Sequence, residues 1–304
     1  MERPLFWHQG LFLQPQHFQI EDRYSQSLGT PLYRFLQPHL WGLGGLEATD
    51  VVAGNAVEKP FQAQLLFQDM TYVVYPDNAV MEARPFQEDW VEGGRPFTVY
   101  IGIKKWQPAG GNVTVLEKIE NLSAVTTRFV SLADPEEVED LHQSGPAAQV
   151  KRLYYVLKFF WETEIDQLGD YLLVPYARLE RTGEAVGLSE RFIPPALSVD
   201  ASEILYRIVK EIRDQIASRG RQLEFYKRDR GIHTAEFGAR DMVYLLALRS
   251  LNRYGPILSH MLESGRVHPW TVYGILRQLI GELSSFSEEV NSMGEIGRAS
   301  CRER

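Results

Sequence analysis

Seven histidines, forty acidic side chains and one cysteine are the residues from which this 304-residue chain could build a catalytic or metal centre. A zinc site needs three or four converging ligands, and on a helix its usual signature is two histidines at i, i+4 around a glutamate. His8, His17, His39, His142, His233, His260 and His268 contain no such pair. His8 and His17 could meet in space, but nothing signals a third ligand. Packing or surface roles are therefore expected for all seven, with no metal and no cofactor. Glycoside hydrolysis needs two convergent carboxylates, and Asp69 with Glu82 is one pair that could supply them. A chain with forty acids offers many such pairs, and nothing else marks a cleft. No serine sits in a Gly-x-Ser-x-Gly elbow. Gly44-Gly45, Gly93-Gly94 and Gly110-Gly111 lack the spacing and following lysine of a phosphate cradle and read as turns. Asn112-Val113-Thr114 matches a glycosylation acceptor, yet Met1-Glu2-Arg3-Pro4 opens no secretory signal, so the match reads as chance. The expectation is a protein without catalysis.

The cysteine, Cys301, lies in Glu295-Ile296-Gly297-Arg298-Ala299-Ser300-Cys301-Arg302-Glu303-Arg304. These ten residues read as an in-frame translation of a common short-read sequencing adapter. The expectation is that 295–304 is not natural sequence, that the gene continues, and that Cys301 has no role. Long-read sequencing of the source locus would overturn this by finding the same codons followed by a genuine stop.

Composition narrows the field further. The chain is 44% hydrophobic and 24% charged, with a net charge of -8 and a pI near 5.5. An acidic balance of this size argues against a dedicated nucleic-acid binder or a polybasic membrane-surface protein. The densest apolar run, Leu153 to Trp161, is interrupted by Lys158 and is too short to span a bilayer. A cytoplasmic protein is the expectation.

Two regimes of pattern meet near Ile193-Pro194-Pro195. Before them come short extended runs. Leu65-Leu66-Phe67 and Thr71 to Tyr75 flank Gln68-Asp69-Met70 as a hairpin. Pro96 to Lys104, Val113 to Val115, Tyr154 to Trp161 and Tyr171 to Leu179 are rich in β-branched and aromatic residues. Asp134-Pro135-Glu136-Glu137 predicts a helix start, with a cap, a proline at the first position and acids in the first turn. This half reads as a β-sandwich, residues 1–192.

After Pro195 the period becomes helical. Asp200-Ala201-Ser202-Glu203 has capping-box spacing, and Ile204, Leu205, Ile208, Val209, Ile212 and Ile216 mark one apolar stripe, of which Ile204, Ile208, Ile212 and Ile216 are expected to pack the bundle. A second helix is predicted from Ala239 to about Glu263, kinked or divided at Gly255-Pro256. A third starts at His268-Pro269. Together these predict an α+β chain in which an antiparallel helical bundle, 193–294, follows the sandwich.

The most distinctive stretch is Trp7-His8-Gln9-Gly10-Leu11-Phe12-Leu13-Gln14-Pro15-Gln16-His17-Phe18-Gln19. Chain ends fray unless docked, so an opening this apolar must be tied down. Two readings stand open: it completes the domain's own core, or it packs on another subunit or partner.

This opening, with Asp22-Arg23-Tyr24 after it, resembles the TssK (ImpJ/VasE) family of bacterial type VI secretion baseplate proteins. Those begin Trp-His-x-Gly-(Leu/Met)-Phe-Leu-x-Pro-Gln-His-Phe-Gln. Trp41-Gly42, Asp69-Met70-Thr71, Ile193 to Leu197 and Ala201-Ser202 continue the match more weakly, to about residue 290. The resemblance implies a β-sandwich shoulder, a helical neck and a C-terminal head, the last absent from this sequence. It implies a homotrimer with no enzyme activity, whose shoulder meets the wedge proteins TssF and TssG and whose head reaches the membrane-complex proteins TssL and TssM. It places the machine at the inner face of the inner membrane, without insertion. Trp7, Leu11, Phe12, Leu13, Gln16, His17 and Phe18 are the residues expected at the interface. The rivals are a phage receptor-binding-like adhesin for surface glycans and, more remotely, the glycoside hydrolase above.

Overall fold

The computed structural model describes residues 2–47, 51–53, 56–86, 96–140, 142, 145–182, 185–230 and 238–295. Gly93-Gly94, His233 and the adapter-like tail from 296 onward lie outside the described residues.

Two helices open the chain, α1 (Pro15–Leu28) and α2 (Thr30–Leu36). Strands follow in the order β1 (Gly42–Glu47), β2 (Val52–Ala53), β3 (Ala56–Val57), β4 (Gln62–Leu66), β5 (Tyr72–Tyr75), β6 (Ala79–Val80) and β7 (Arg84–Pro85). Next come β8 (Phe97–Lys104), β9 (Val113–Leu116), β10 (Phe129–Leu132), β11 (Glu136–Val138), β12 (Ala148–Val150), β13 (Tyr154–Trp161), β14 (Tyr171–Thr182) and β15 (Ala185–Leu188). Three long helices close it, α3 (Glu203–Arg230), α4 (Ala239–Ser264) and α5 (Pro269–Ser284). The molecule is mixed α+β, strand-rich first and helical after.

One sheet has the order β1-β4-β5 and a larger one β15-β14-β8-β13-β10-β9, with β6 on β13. Their buried faces share one core: Leu43, Leu65 and Val73 from the first meet Val99, Ile101, Phe159, Trp161 and Val174 from the second. The predicted hairpin forms as β4 and β5, with Leu66 opposite Tyr72. β8 lies between β13 and β14 and is buried almost throughout, which explains its unbroken apolar run. Gly102 is required there, because a Cβ would stand 2.6 Å from the Phe160 ring. Trp161 is fully buried, edge-on to Phe97, with the Arg84 guanidinium 4.5 Å from its ring centre. Arg84 in turn grips Glu164 through two bonds of 2.7 and 2.8 Å.

Two local expectations fail in this half, each for a tertiary reason. The helix start at Asp134 is instead the approach to β11, which pairs with β12; Arg152 and Tyr154 donate to Glu136 at 2.8 and 3.1 Å and hold it in the strand. Long-range pairing here outweighs a local capping signal. Gly44-Gly45 is no turn but lies inside β1, where its register against β4 slips. Gly110-Gly111 does turn, with φ of 98° and 72°.

In the helical part, α3 and α4 run antiparallel. Gly255 faces Ile216, Gly220 faces Asn252, and the Tyr226 and Tyr244 rings lie 4.7 Å apart. α4 continues unbroken through Pro256, because its flanks Tyr254 and Leu258 are buried against neighbouring helices. Packing here makes up for the lost backbone donor. The stripe that packs on α3 is Leu205, Val209, Ile212, Ile216 and Leu223. It shares Leu205, Val209, Ile212 and Ile216 with the predicted stripe, whereas Ile208 is 39% exposed and Ile204 lines a cavity. The helix cap is Ser202 rather than Asp200: the Ser202 hydroxyl accepts from Leu205 N–H and its carbonyl from Tyr206 N–H. Asp200 belongs instead to the short 3-10 turn Val199–Ala201.

Candidate interaction surface

The opening arm is built by a few local devices. Gly10 turns the chain with a φ of 86°, and Leu11 N–H bonds to the His8 carbonyl. Pro15 starts α1, where its missing N–H costs nothing. His17 closes the first turn: its Nδ1 accepts from Gln14 N–H at 3.0 Å while its own N–H donates to the Gln14 carbonyl. His17 is thus occupied inside the arm rather than aimed outward. Thr30-Pro31 repeats the proline start for α2.

Neither helix buries a single residue, and none of residues 2–36 belongs to any of the three apolar clusters. The reading in which the arm completes its own domain's core is therefore overturned. Phe12 is 81% exposed, Phe18 58%, Leu13 52% and Trp7 49%. Gln16 is exposed and Leu11 half-buried. The sequence reading missed Phe6, Leu32, Phe35 and Leu36, all more than 60% exposed. Their signal was available, since Leu32, Phe35 and Leu36 stand at three- and four-residue spacing behind the proline start.

The arm is tethered at few points. Arg23 stacks over Trp106 at 4.6 Å and pairs with Glu2 at 3.3 Å. Farther on, the His39 ring lies 5.4 Å from Trp270 at the start of α5. There His268 caps α5, its Nδ1 accepting from Trp270 N–H. Burial pushes this imidazole below its ordinary value. Gly42, with a φ of 125°, completes the joint: Leu43 N–H bonds to the Pro195 carbonyl, and a Cβ at Gly42 would fall 2.3 Å from that oxygen. This close approach explains why Trp41-Gly42 and Ile193 to Leu197 stand out in the sequence together.

The residues of the hydrolase reading are employed elsewhere. Asp69 pairs with the buried Arg128 at 3.0 Å and accepts from Thr71 N–H, and Glu82 accepts from Ser123 N–H. Asn112 is buried and bonded twice to the Gln107 backbone. Among the described residues no three His, Cys, Asp or Glu side chains form a metal-holding group. No helix among them is long and apolar enough to cross a membrane. What the arm offers is an apolar surface, larger than isolated exposed residues explain, of the kind that marks contact with another protein.

Comparison with known proteins identifies the family. The model of a family described as bacterial type VI secretion, VC_A0110, EvfL, ImpJ, VasE matches residues 17–297. The type VI secretion system baseplate component TssK1 of Pseudomonas aeruginosa is 28% identical over 287 residues, covering 92% of this chain and 61% of that protein. The chain thus spans about three fifths of the length of this curated relative. A crystal structure of TssK superposes with a TM-score of 0.81 at 19% identity, over 98% of this chain and 64% of that one. A chain of a baseplate complex from the type VI secretion system gives 0.82 at 23%, over 96% and 64%. One from a cryo-electron microscopy structure of the TssK-TssF-TssG baseplate subcomplex gives 0.78 at 22%, over 96% and 91%. At these identities the solved structures speak for the fold.

Proposed function

Because the chain belongs to the bacterial type VI secretion family of EvfL, ImpJ and VasE, we propose that it is a structural adaptor of the type VI secretion baseplate that works by docking and not by catalysis. The single observation that carries this reading is the opening arm, whose large apolar side chains find no cover within the described chain. Covering them is work for other polypeptides. In this reading residues 1–192 form a shoulder and 193–294 a neck, supported by the change from strands ending at Leu188 to helices starting at Glu203. The subunit is a homotrimer, and the shoulder meets the wedge proteins TssF and TssG. Contact with TssL and TssM belongs to a C-terminal head that follows the neck. The protein acts in the cytoplasm, at the inner face of the inner membrane. Several linked weak contacts gain strength there from effective concentration, so no single site needs high affinity.

Of the predicted interface residues, Trp7, Phe12, Leu13 and Phe18 have the exposure such a role needs. His17 acts through the shape of the arm. The experiment is light scattering of the purified full chain with Phe12, Phe18 and Phe35 all changed to serine, followed by capture with TssF and TssG. A trimer that dissociates assigns the arm to the subunit interface. A persisting trimer that no longer captures the wedge proteins assigns it to partner docking. Wild-type mass and undiminished capture would sink the reading.

A further inference from the structure

Between the outer strands of the larger sheet and the first turn of α3 lies a cavity of ≈ 440 Å³, within the range of small-molecule sites. Its apolar wall includes Leu46 and Phe192. Its buried polar groups are all of one kind. Tyr176, Ser189 and Ser202 line it, and they are 3%, 6% and 7% exposed. The Tyr176 hydroxyl has no hydrogen-bond partner. Ser189 Oγ accepts from Arg191 N–H and Ser202 Oγ from Leu205 N–H. Each serine therefore keeps its own O–H to donate, and neither finds an acceptor among the described residues.

The placement has identifiable causes. β14 slips register against β8 between Pro175 and Ala177, and a bulge of this kind re-aims the extra side chain, here Tyr176. The first two residues of α3, Glu203 and Ile204, also line the cavity, so the positive end of a 28-residue helix opens at it. The remaining charged residues of the lining, Arg178, Arg207 and Glu190, together with Glu203, are exposed and cancel in sign. Selectivity thus falls to the interior, where the two serine hydroxyls are left to donate and the Tyr176 hydroxyl is unpaired. A buried donor left unmade carries the full cost of its desolvation, and three in one cavity call for a ligand that supplies acceptors. The balanced rim disfavours a doubly charged phosphate.

We propose that this cavity binds a singly charged carboxylate on a short apolar stem, held by the hydroxyls of Tyr176, Ser189 and Ser202 at the N-terminus of α3. A free aliphatic acid and a glutamate side chain inserted by another polypeptide present the same head and stem. Calorimetric titration of the full chain with hexanoate, with hexanamide and with an end-blocked Ala-Ala-Glu-Ala-Ala peptide separates these sources. Saturable binding of hexanoate indicates a free acid, and binding of the peptide alone indicates a protein-borne one. In either case hexanamide should bind at least tenfold more weakly, and Tyr176→Phe should lose about tenfold or more, the range of a hydrogen bond to a charged group. Tyr176→Phe removes only an unpaired hydroxyl, so its unchanged or raised melting temperature separates lost binding from lost folding. Binding of neither carboxylate, equal binding of hexanamide, or unaltered affinity in Tyr176→Phe overturns the proposal.

Discussion

Two parts of this molecule are both rich in aromatic and aliphatic residues and have opposite fates. β13 reads Tyr-Tyr-Val-Leu-Lys-Phe-Phe-Trp, and five of its eight residues are buried. α2 reads Thr-Pro-Leu-Tyr-Arg-Phe-Leu and buries none. The difference is not hydrophobicity but the presence of a partner surface in the same chain. β13 is paired along its edges with β8, β10 and β6 and has the smaller sheet against its face. α2 meets little beyond α1. Burial of apolar area drives both association and folding, so an uncovered apolar helix is an interface awaiting its second half.

This contrast can be broken by substitution, and the largest effect belongs to the core. Trp161→Ala removes a fully buried ring that Phe97 and Arg84 both contact. It should cost about 3–5 kcal/mol, read as a lowered midpoint in urea unfolding with little change in slope. Gly102→Ala adds a single carbon but drives it into the Phe160 ring. A loss of about 1–3 kcal/mol is expected; an unchanged midpoint would mean that the ring moves freely aside. At the opposite extreme, Phe35→Ser on the exposed α2 should change the stability of the isolated chain by less than about 0.5 kcal/mol. Its effect should appear only in assembly. A large loss of stability from Phe35→Ser in a monomer would mean that the arm does fold back on its own chain.

The joint between the two halves should respond to pH. A histidine held below its ordinary value in the fold binds its proton more readily when unfolded. The stability associated with His268 is therefore fully present above its unfolded value near 6.5 and drains as pH falls through it toward the lower folded value. Protonation also removes the Nδ1 lone pair that caps α5. Melting temperature should fall from pH 7.5 to pH 5.5, and His268→Asn, which keeps a capping oxygen without a titrating ring, should flatten that slope. An identical slope in His268→Asn would assign the acid sensitivity to the paired carboxylates, such as Glu164, whose bonds to Arg84 and to Trp161 N–H outweigh burial and lower its value.

Local pattern determined much of this protein. The β4–β5 hairpin, the long strands β8, β13 and β14, and the starts of α4 and α5 follow from side-chain period, turn residues and proline placement, all of which act within a few residues. The family resemblance, too, was legible in the opening motif alone. Tertiary structure decided the rest, because the deciding contacts join residues far apart in sequence. Glu136 became a strand residue through Arg152 and Tyr154. Of the predicted stripe of α3, Leu205, Val209, Ile212 and Ile216 pack against the other helices while Ile208 faces outward, a choice of face that the neighbouring helices make. The cavity at Tyr176 rests on a register slip between two strands some seventy residues apart in sequence, which no local pattern announces. Whether the opening arm was core or surface was likewise undecidable from its residues, since an apolar side chain records that it needs cover but not which surface provides it.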